Sequence, residues 1–215
     1  MKIVITGSSG GIGKAIAEKF LSCGYEVIGL DVCPSVIDHG SYSHILCDIS
    51  SSELPEIDGT DILINCAGVQ DTGRDIDVNL KGTIRVTEKY AFQENIKSVL
   101  FIASSSARTG AEFPEYAASK GGMVSYMKNT AGRLAAYGAT SNCISPGGVT
   151  TSLNAHILEN PVLWEKVLAE TMLGRWASPE EIAEWAYFVT VVNRSMTAQD
   201  ILIDNGEFDK CNFIW

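Results

Sequence analysis

Ile3-Val4-Ile5-Thr6-Gly7-Ser8-Ser9-Gly10-Gly11-Ile12-Gly13 reads as a buried strand that runs directly into a glycine-rich turn. Apolar residues then recur at helical spacing, at Ala15, Ile16, Ala17, Phe20 and Leu21. Strand, turn and helix in that order bring bare backbone N–H groups to the positive end of a helix, which is where a pyrophosphate binds. The opening residues therefore predict a dinucleotide site. The same turn also matches the GxSxG elbow of serine hydrolases. That elbow follows several earlier strands, whereas here one strand precedes it. The triad histidine would have to come from far downstream, where His156 stands alone. The hydrolase reading fails on chain order.

The chain has 215 residues, 46% hydrophobic and 20% charged, which suits a single α/β domain over residues 1–215 with a real core. Its formal net charge of −10 argues against a nucleic-acid partner, since that requires a basic face. The six cysteines form no CxxC pair and the three histidines have no metal-ligand spacing, so no metal site is expected. Several cysteines sit in apolar runs, as reduced thiols do in the cytoplasm. The first strand begins at the second residue, which leaves no room for a signal peptide. No apolar run is long enough to span a bilayer, so no membrane is expected as a partner.

Short apolar runs alternate with helical patterns along the chain. Strands are predicted at 2–6, 26–30, 44–47, 61–65, 98–103, 140–145 and 200–203, and helices at about 11–23, 77–94, 116–137 and 179–192. Runs such as Ile62-Leu63-Ile64 and Val99-Leu100-Phe101-Ile102 are apolar on both faces, as in a parallel sheet covered by helices. The expected fold is α/β, a doubly wound parallel sheet of about seven strands with helices on both faces. Pro55 and Gly59 make 51–60 a turn or a clipped helix. Residues 152–175 form a long apolar insertion, expected to be a substrate lid. After it, Ser178-Pro179-Glu180-Glu181 has the spacing of a helix capping box.

Two further signals carry chemistry. Asp31 closes the run Val27-Ile28-Gly29-Leu30, eighteen residues after Gly13, where an acid meets the adenosine ribose. A carboxylate there accepts from a diol and repels a 2′-phosphate, and Val32 and Cys33 bring no cation, so NAD is expected over NADP. Tyr116 and Lys120 are four apart on a predicted helix and share a face. An adjacent ammonium favours the phenolate. Lowering a phenol from about 10 to about 7 takes roughly 4 kcal/mol.

Taken together these motifs resemble the short-chain dehydrogenases/reductases, in their compact single-domain form. Residues 6–13 resemble the TGxxxGIG turn of that family, Asp48-Ile49 its acid-aliphatic pair, and Asn65-Cys66-Ala67-Gly68 its NNAG strand end. Asn79, Tyr116 and Lys120 match its catalytic tetrad, Ser145-Pro146-Gly147-Gly148-Val149-Thr150-Thr151 its nicotinamide segment, and Gly174-Arg175 with residues 178–183 its late helix. The resemblance implies a Rossmann fold and reversible hydride transfer between NAD(H) and a small-molecule secondary alcohol or ketone.

It implies Tyr116 as general acid/base, Lys120 lowering its pKa and binding the nicotinamide ribose, and Asn79 holding a relay water. Ser105, eleven residues before Tyr116, would bind the carbonyl oxygen, with Ser104 as the competing position. Gly7, Ser9, Gly11, Ile12 and Gly13 would shape the pyrophosphate site. Asp31, Asp48, Ile49, Asn65 and Gly68 would line the adenosine half. Pro146, Gly147, Val149 and Thr151 would face the nicotinamide and phosphates. A homodimer or homotetramer is implied through helices 77–94 and 116–137.

Three departures stand out. The Ser105–Tyr116 gap is short, and the segment between Gly68 and Asn79 is too short for its usual helix, which would open a wall near the cofactor. Asp204-Asn205-Gly206-Glu207 and Cys66 replace the usual residues and are expected to stay clear of the chemistry. These departures motivate a second reading, an NAD-binding sensor or scaffold with little catalysis. A sugar-nucleotide epimerase or dehydratase would need a further substrate domain that this sequence does not carry. The apolar insertion with Trp164 and Trp176 suits a hydrophobic ketone.

Overall fold

A computed structural model describes residues 1–111 and 113–210; Glu112 and residues 211–215, including Cys211, lie outside it. The elements follow in the order β1 (Lys2–Thr6), α1 (Gly11–Ser22), β2 (Glu26–Asp31), β3 (Tyr42–Leu46), β4 (Ile62–Asn65), a π-wound turn (Ile76–Gly82) leading into α2 (Thr83–Tyr90), and β5 (Ser98–Ile102). Next come α3 (Ser106–Thr109), α4 (Pro114–Leu134), β6 (Thr140–Pro146), α5 (Ala155–Leu158), α6 (Pro161–Ala169), α7 (Pro179–Tyr187) and β7 (Asp200–Ile203). The seven strands form one sheet in the order β3-β2-β1-β4-β5-β6-β7, and every neighbouring pair is parallel.

Alternation along the strands fills both faces. Ile3 and Ile5 of β1 pack in one cluster with Ile16 and Phe20 of α1 and Ile182 and Ala186 of α7. Val4, between them, packs in another with Val86 and Tyr90 of α2 and Met123, Met127 and Leu134 of α4. Both faces need apolar residues, which is why the strands read as continuous apolar runs. Each large side chain buried this way contributes about 1.5–3 kcal/mol. Register sets the site: Thr6 lies opposite Leu30 of β2 and Asn65 of β4, so three strand ends finish level.

All seven strands form within a residue or two of expectation. Residues 51–60 carry no helix, and neither do 32–41, so the edge strand β3 is thinly covered and Leu46 is 64% exposed. The helix expected at 77–94 stops at Tyr90. Gln93 turns back there, its Nε2 donating to the Tyr90 carbonyl while its Oε1 accepts from the N–H groups of Gly59 and Thr60. The helix expected at 116–137 starts two residues earlier, on Pro114, and tightens to a 3₁₀ turn at Ala135–Tyr137. The last helix is ordinary to Tyr187 and then π-wound at Phe188–Val192. Ser178 and Glu181 form the expected capping box at α7.

Short α3, α5 and α6 were not expected. For α6 the signal was present: Asn160 accepts from the Leu163 N–H as N-cap and Pro161 takes the first helical position. Among the described residues, no helix is long and apolar enough to cross a membrane.

Candidate active site

The carboxyl ends of the strands open into a cleft of about 770 Å³ at the switch point between β1 and β4. Its floor depends on glycine. Gly7 has φ +73°, and a Cβ there would lie 2.8 Å from the Ala67 backbone. A Cβ at Gly13 would lie 2.0 Å from the Gly7 carbonyl oxygen. Thr6 Oγ1 accepts from the N–H groups of Cys66 and Ala67, tying the ends of β1 and β4 together. Behind the turn, the Tyr42 hydroxyl shares hydrogen bonds with Ser8 Oγ (2.9 Å) and His44 Nδ1 (3.1 Å). Gly29 leaves room for that pair, since a Cβ there would fall 2.2 Å from both oxygens.

At the far side of the turn, the Asp31 carboxylate accepts from the N–H groups of Ser9 and Cys33, each at 2.9 Å. Asp48 accepts from the Ser50 N–H and hydroxyl and from Arg74 Nη2. The Ser50 hydroxyl and then the Arg74 guanidinium hold its carboxyl well below the usual carboxylate range. Arg74 comes from the shortened segment after Gly68. Asp71 and Thr72 donate their N–H groups to Asp75 and fold that segment into a tight turn. No helix lies between β4 and the π-wound turn at Ile76, as expected, and Arg74 lines the cleft there together with Val69 and Gln70.

At the other end, α4 presents Tyr116 and Lys120. The Lys120 Nζ lies 5.6 Å from the Tyr116 ring centroid and donates to the Ile102 carbonyl at 2.9 Å. Burial pushes its pKa down to about 8, while Cys66, Cys143 and Asp75 favour its charged form. Burial pushes the Cys66 thiol up to about 12, which keeps it neutral. Ser104, Ser105 and Ser106 all line the cleft. Ser104 Oγ donates to Ser106 Oγ and accepts from the Ser106 N–H, both at 3.2 Å. The Ser105 N–H donates to the Pro146 carbonyl at 2.8 Å, joining the ends of β5 and β6.

Seventeen residues carry the sequence-based expectations besides Asn65 and Asn79, counting both serines and Tyr116 and Lys120 once each, and all of them line this one cleft. Asn65 does not. It is 1% exposed and its amide donates to Thr87 of α2, because the side chain points under the sheet rather than past its end. Asn79 is fully buried behind Gly68, where its amide exchanges hydrogen bonds with both backbone groups of Val69 and donates to Ser119. A Cβ on Gly68 would come 3.2 Å from Asn79 Oδ1 and 3.4 Å from Lys120 Nζ.

A family model described as enoyl-(acyl carrier protein) reductase matches residues 7–207. The chain belongs to the short-chain dehydrogenase/reductase family. The 3-oxoacyl-(acyl-carrier-protein) reductase FabG of Aquifex aeolicus (strain VF5) is 29% identical, with 94% of this chain and 95% of that protein covered. A solved 4-hydroxyisoleucine dehydrogenase complexed with NADH is 26% identical, with a TM-score of 0.88 over 98% of this chain and 99% of that one. A structure from Agrobacterium tumefaciens with bound NADP is 24% identical, with a TM-score of 0.84 over 97% and 96% of the chains, a likeness of fold alone.

Short-chain dehydrogenases/reductases are oxidoreductases, and the cleft fits a nicotinamide dinucleotide. The N-terminal turn of α1 carries no acid, and the glycine floor leaves its N–H groups accessible. Among the described residues no group of three or more His, Cys, Asp and Glu could hold a metal.

Cys66 and Glu207, which replace the usual residues, both line the cleft. Sequence reasoning passed over Arg74 and Phe113 in its lining, and singled out neither His156 nor Glu170 within the insertion as lining residues. Arg74 and Glu170 look like ordinary surface charges in sequence, and only the fold turns them inward.

Proposed function

We propose that this chain is an NAD(H)-dependent oxidoreductase that interconverts a secondary alcohol and a ketone, working as one domain with residues 152–175 as its substrate lid. The observation that carries the reading is that Tyr116 and Lys120 open into the same cleft as the glycine cradle. When bound, the dinucleotide supplies hydride exchange. The chain does the rest. Tyr116 takes the proton from the substrate hydroxyl in oxidation and returns it in reduction. Lys120 keeps an ammonium beside the phenol, favouring the phenolate, and binds the nicotinamide ribose. Ser105 holds the carbonyl oxygen where charge develops. Asn79 was expected to hold a relay water; with its amide committed to Val69 and Ser119, its part is to fix the wall behind Lys120.

For the cofactor, Gly7, Ser9, Gly11, Ile12 and Gly13 bind the pyrophosphate, and Asp31, Asp48, Ile49 and Gly68 hold the adenosine half. Pro146, Gly147, Val149 and Thr151 face the nicotinamide. NAD is favoured over NADP because Asp31 keeps a carboxylate at the turn and the adenosine end offers one cation, Arg74, already paired with Asp48. A cytoplasmic homodimer or homotetramer completes the reading. Trp185, Phe188 and Val192 are 41%, 46% and 53% exposed on one face of the last helix, which suits such an assembly.

Tyr116→Phe is the test. NADH titrations followed by fluorescence should be unchanged, while kcat falls about 10³-fold. A loss under tenfold removes Tyr116 from the chemistry, and NADH binding without turnover in the wild type returns the sensor reading. Ser105→Ala and Ser104→Ala, measured side by side, decide between the two serines. NADH should bind tighter than NADPH, and Asp31→Asn should narrow that gap roughly tenfold, or about 1.4 kcal/mol. Tighter NADPH binding in the wild type overturns the preference for NAD.

A further inference from the structure

The middle of the sheet builds most of the cleft floor, but one corner of the cleft is held from the edge strand. After Asp31 the chain leaves β2 and runs from residue 32 to 41 without helix or strand. Val32 is 65% exposed and Cys33 is exposed too, so burial does little to fix this stretch. Yet the stretch helps to place Asp31, because the Cys33 N–H donates to Asp31 Oδ1 while the Ser9 N–H donates to Oδ2.

β3 supplies the missing anchor. Tyr42 and His44 are two apart on a strand and share a face. His44 Nε2 lies 2.9 Å from the Cys33 carbonyl oxygen. A carbonyl only accepts, so that ring nitrogen carries the hydrogen and donates it. Ser9 Oγ donates to the same oxygen at 3.1 Å. The other ring nitrogen, Nδ1, shares a hydrogen bond with the Tyr42 hydroxyl, which shares a second with the buried Ser8 hydroxyl. Gly29 stands opposite His44 in β2, and its missing side chain lets the Tyr42 hydroxyl cross β2 to the turn. The hydrogen bonds thus run from Ser8 through Tyr42, His44, Cys33 and Asp31 to Ser9, and close where Ser9 follows Ser8.

We infer that His44 is a positioning residue for the cofactor: through the Cys33 backbone it holds the Asp31 carboxylate in place for the adenosine ribose, and Tyr42 orients its ring. A carboxylate fixed in advance loses little freedom when the ribose hydroxyls bind, which favours affinity. The inference rests on the NAD reading above and gives the thinly covered edge strand a part in it.

Fluorescence titrations with NADH and NADPH test it on the wild type, His44→Phe, His44→Gln, Asp31→Asn and the double variant. His44→Phe should weaken NADH binding about fivefold, as expected for one hydrogen bond, and narrow the gap to NADPH. His44→Gln keeps an N–H donor and should return to within about twofold of the wild type. In the Asp31→Asn background, His44→Phe should cost less than about twofold, since the group it positions is gone. Unchanged NADH affinity in His44→Phe, additive losses in the double variant, or a loss that glutamine does not recover overturns the inference. If His44→Phe folds poorly, Tyr42→Phe, which deletes only the hydroxyl, enters the same cycle with the same two outcomes.

Amide exchange in the nucleotide-free protein gives a readout independent of binding. The Cys33 and Ser9 amides should exchange at least about threefold faster in His44→Phe than in the wild type. That result in a protein that binds NADPH tighter than NADH, or binds neither, counts against the NAD reading alone. Unchanged exchange at both amides counts against His44.

Discussion

The glycine turn at residues 7–13 and the proposed lid at residues 152–175 both line one cleft, yet they are held by opposite means. The turn sits on buried strand ends, and its geometry is dictated by backbone against backbone, as at Gly13 and Gly7. The lid has no buried residue from Thr151 through Glu170. Its helices α5 and α6 are short and rest on the rim by half-buried side chains. A short helix is marginal without packing. The proposed cofactor half is thus pre-formed, and the proposed substrate half has the energetics of a segment that opens locally.

Hydrogen exchange gives the largest expected contrast. Amides of α4, which buries Met123, Met127 and Leu134, should be protected at least about 10³-fold more than those of α6, a difference of about 4 kcal/mol in opening free energy. Similar protection in the two helices would remove the distinction. Added NADH should slow exchange at the glycine turn more than in α6.

A pair of glycine substitutions sharpens the same contrast. Gly13→Ala drives a Cβ into the Gly7 carbonyl and should cost about 3 kcal/mol in urea denaturation, with NADH binding lost. Gly174→Ala, at the end of the lid, has φ +64° but nothing within 4 Å of the added Cβ. It should cost only about 1 kcal/mol of backbone strain and leave NADH binding intact. If the two cost the same, the cleft halves are equally rigid.

The contrast also explains what could be read in the sequence. Buried strands demand apolar residues on both faces, so runs such as Val99 to Ile102 announced themselves. Backbone contacts demand glycine, so the turn did too. Asp31, Tyr116 and Lys120 stood out because the chemistry proposed for them needs fixed spacing from those strands, and all three line the cleft. The lid obeys no such demand. Its half-buried positions accept many residue types, and only Asn160-Pro161 marked a helix there. Glu207 lies in the segment after β7, and what brings it to Gly147 is the crossing of strand ends, which no local pattern encodes. Asn65 failed for a related reason: one step along a strand reverses the face, and its side chain went under the sheet to Thr87.

The smallest predicted effect lies where the lid rejoins the body. Ser178 Oγ accepts the Glu181 N–H at 3.3 Å, and Glu181 Oε2 accepts the Ser178 N–H at 2.9 Å. Arg175, the last lid residue, holds both oxygens of the same Glu181 at 2.7 Å. Ser178→Ala should cost about 1 kcal/mol, a fall in Tm of about 2–4 °C for a chain of this size. It should leave NADH affinity unchanged, because α7 stays anchored through Ile182, Ala183 and Ala186. The hydrogen bonds from Arg175 and the Ser178 N–H push the Glu181 carboxyl down to about 2 from an ordinary 4.5. A carboxylate lowered in the fold stabilises it above the ordinary value, and that contribution fades as the pH falls toward the lowered one. The Ser178→Ala deficit, which removes a neutral acceptor, should persist from pH 7 to pH 5. The Arg175–Glu181 contribution should decline only between about pH 4.5 and 2, and the pair's exposure keeps it small. If Ser178→Ala instead lowers Tm by more than about 8 °C, or weakens NADH binding, the junction is a strut shared by both halves, and the proposed lid is less independent of the cofactor site than the lack of buried residues from Thr151 through Glu170 indicates.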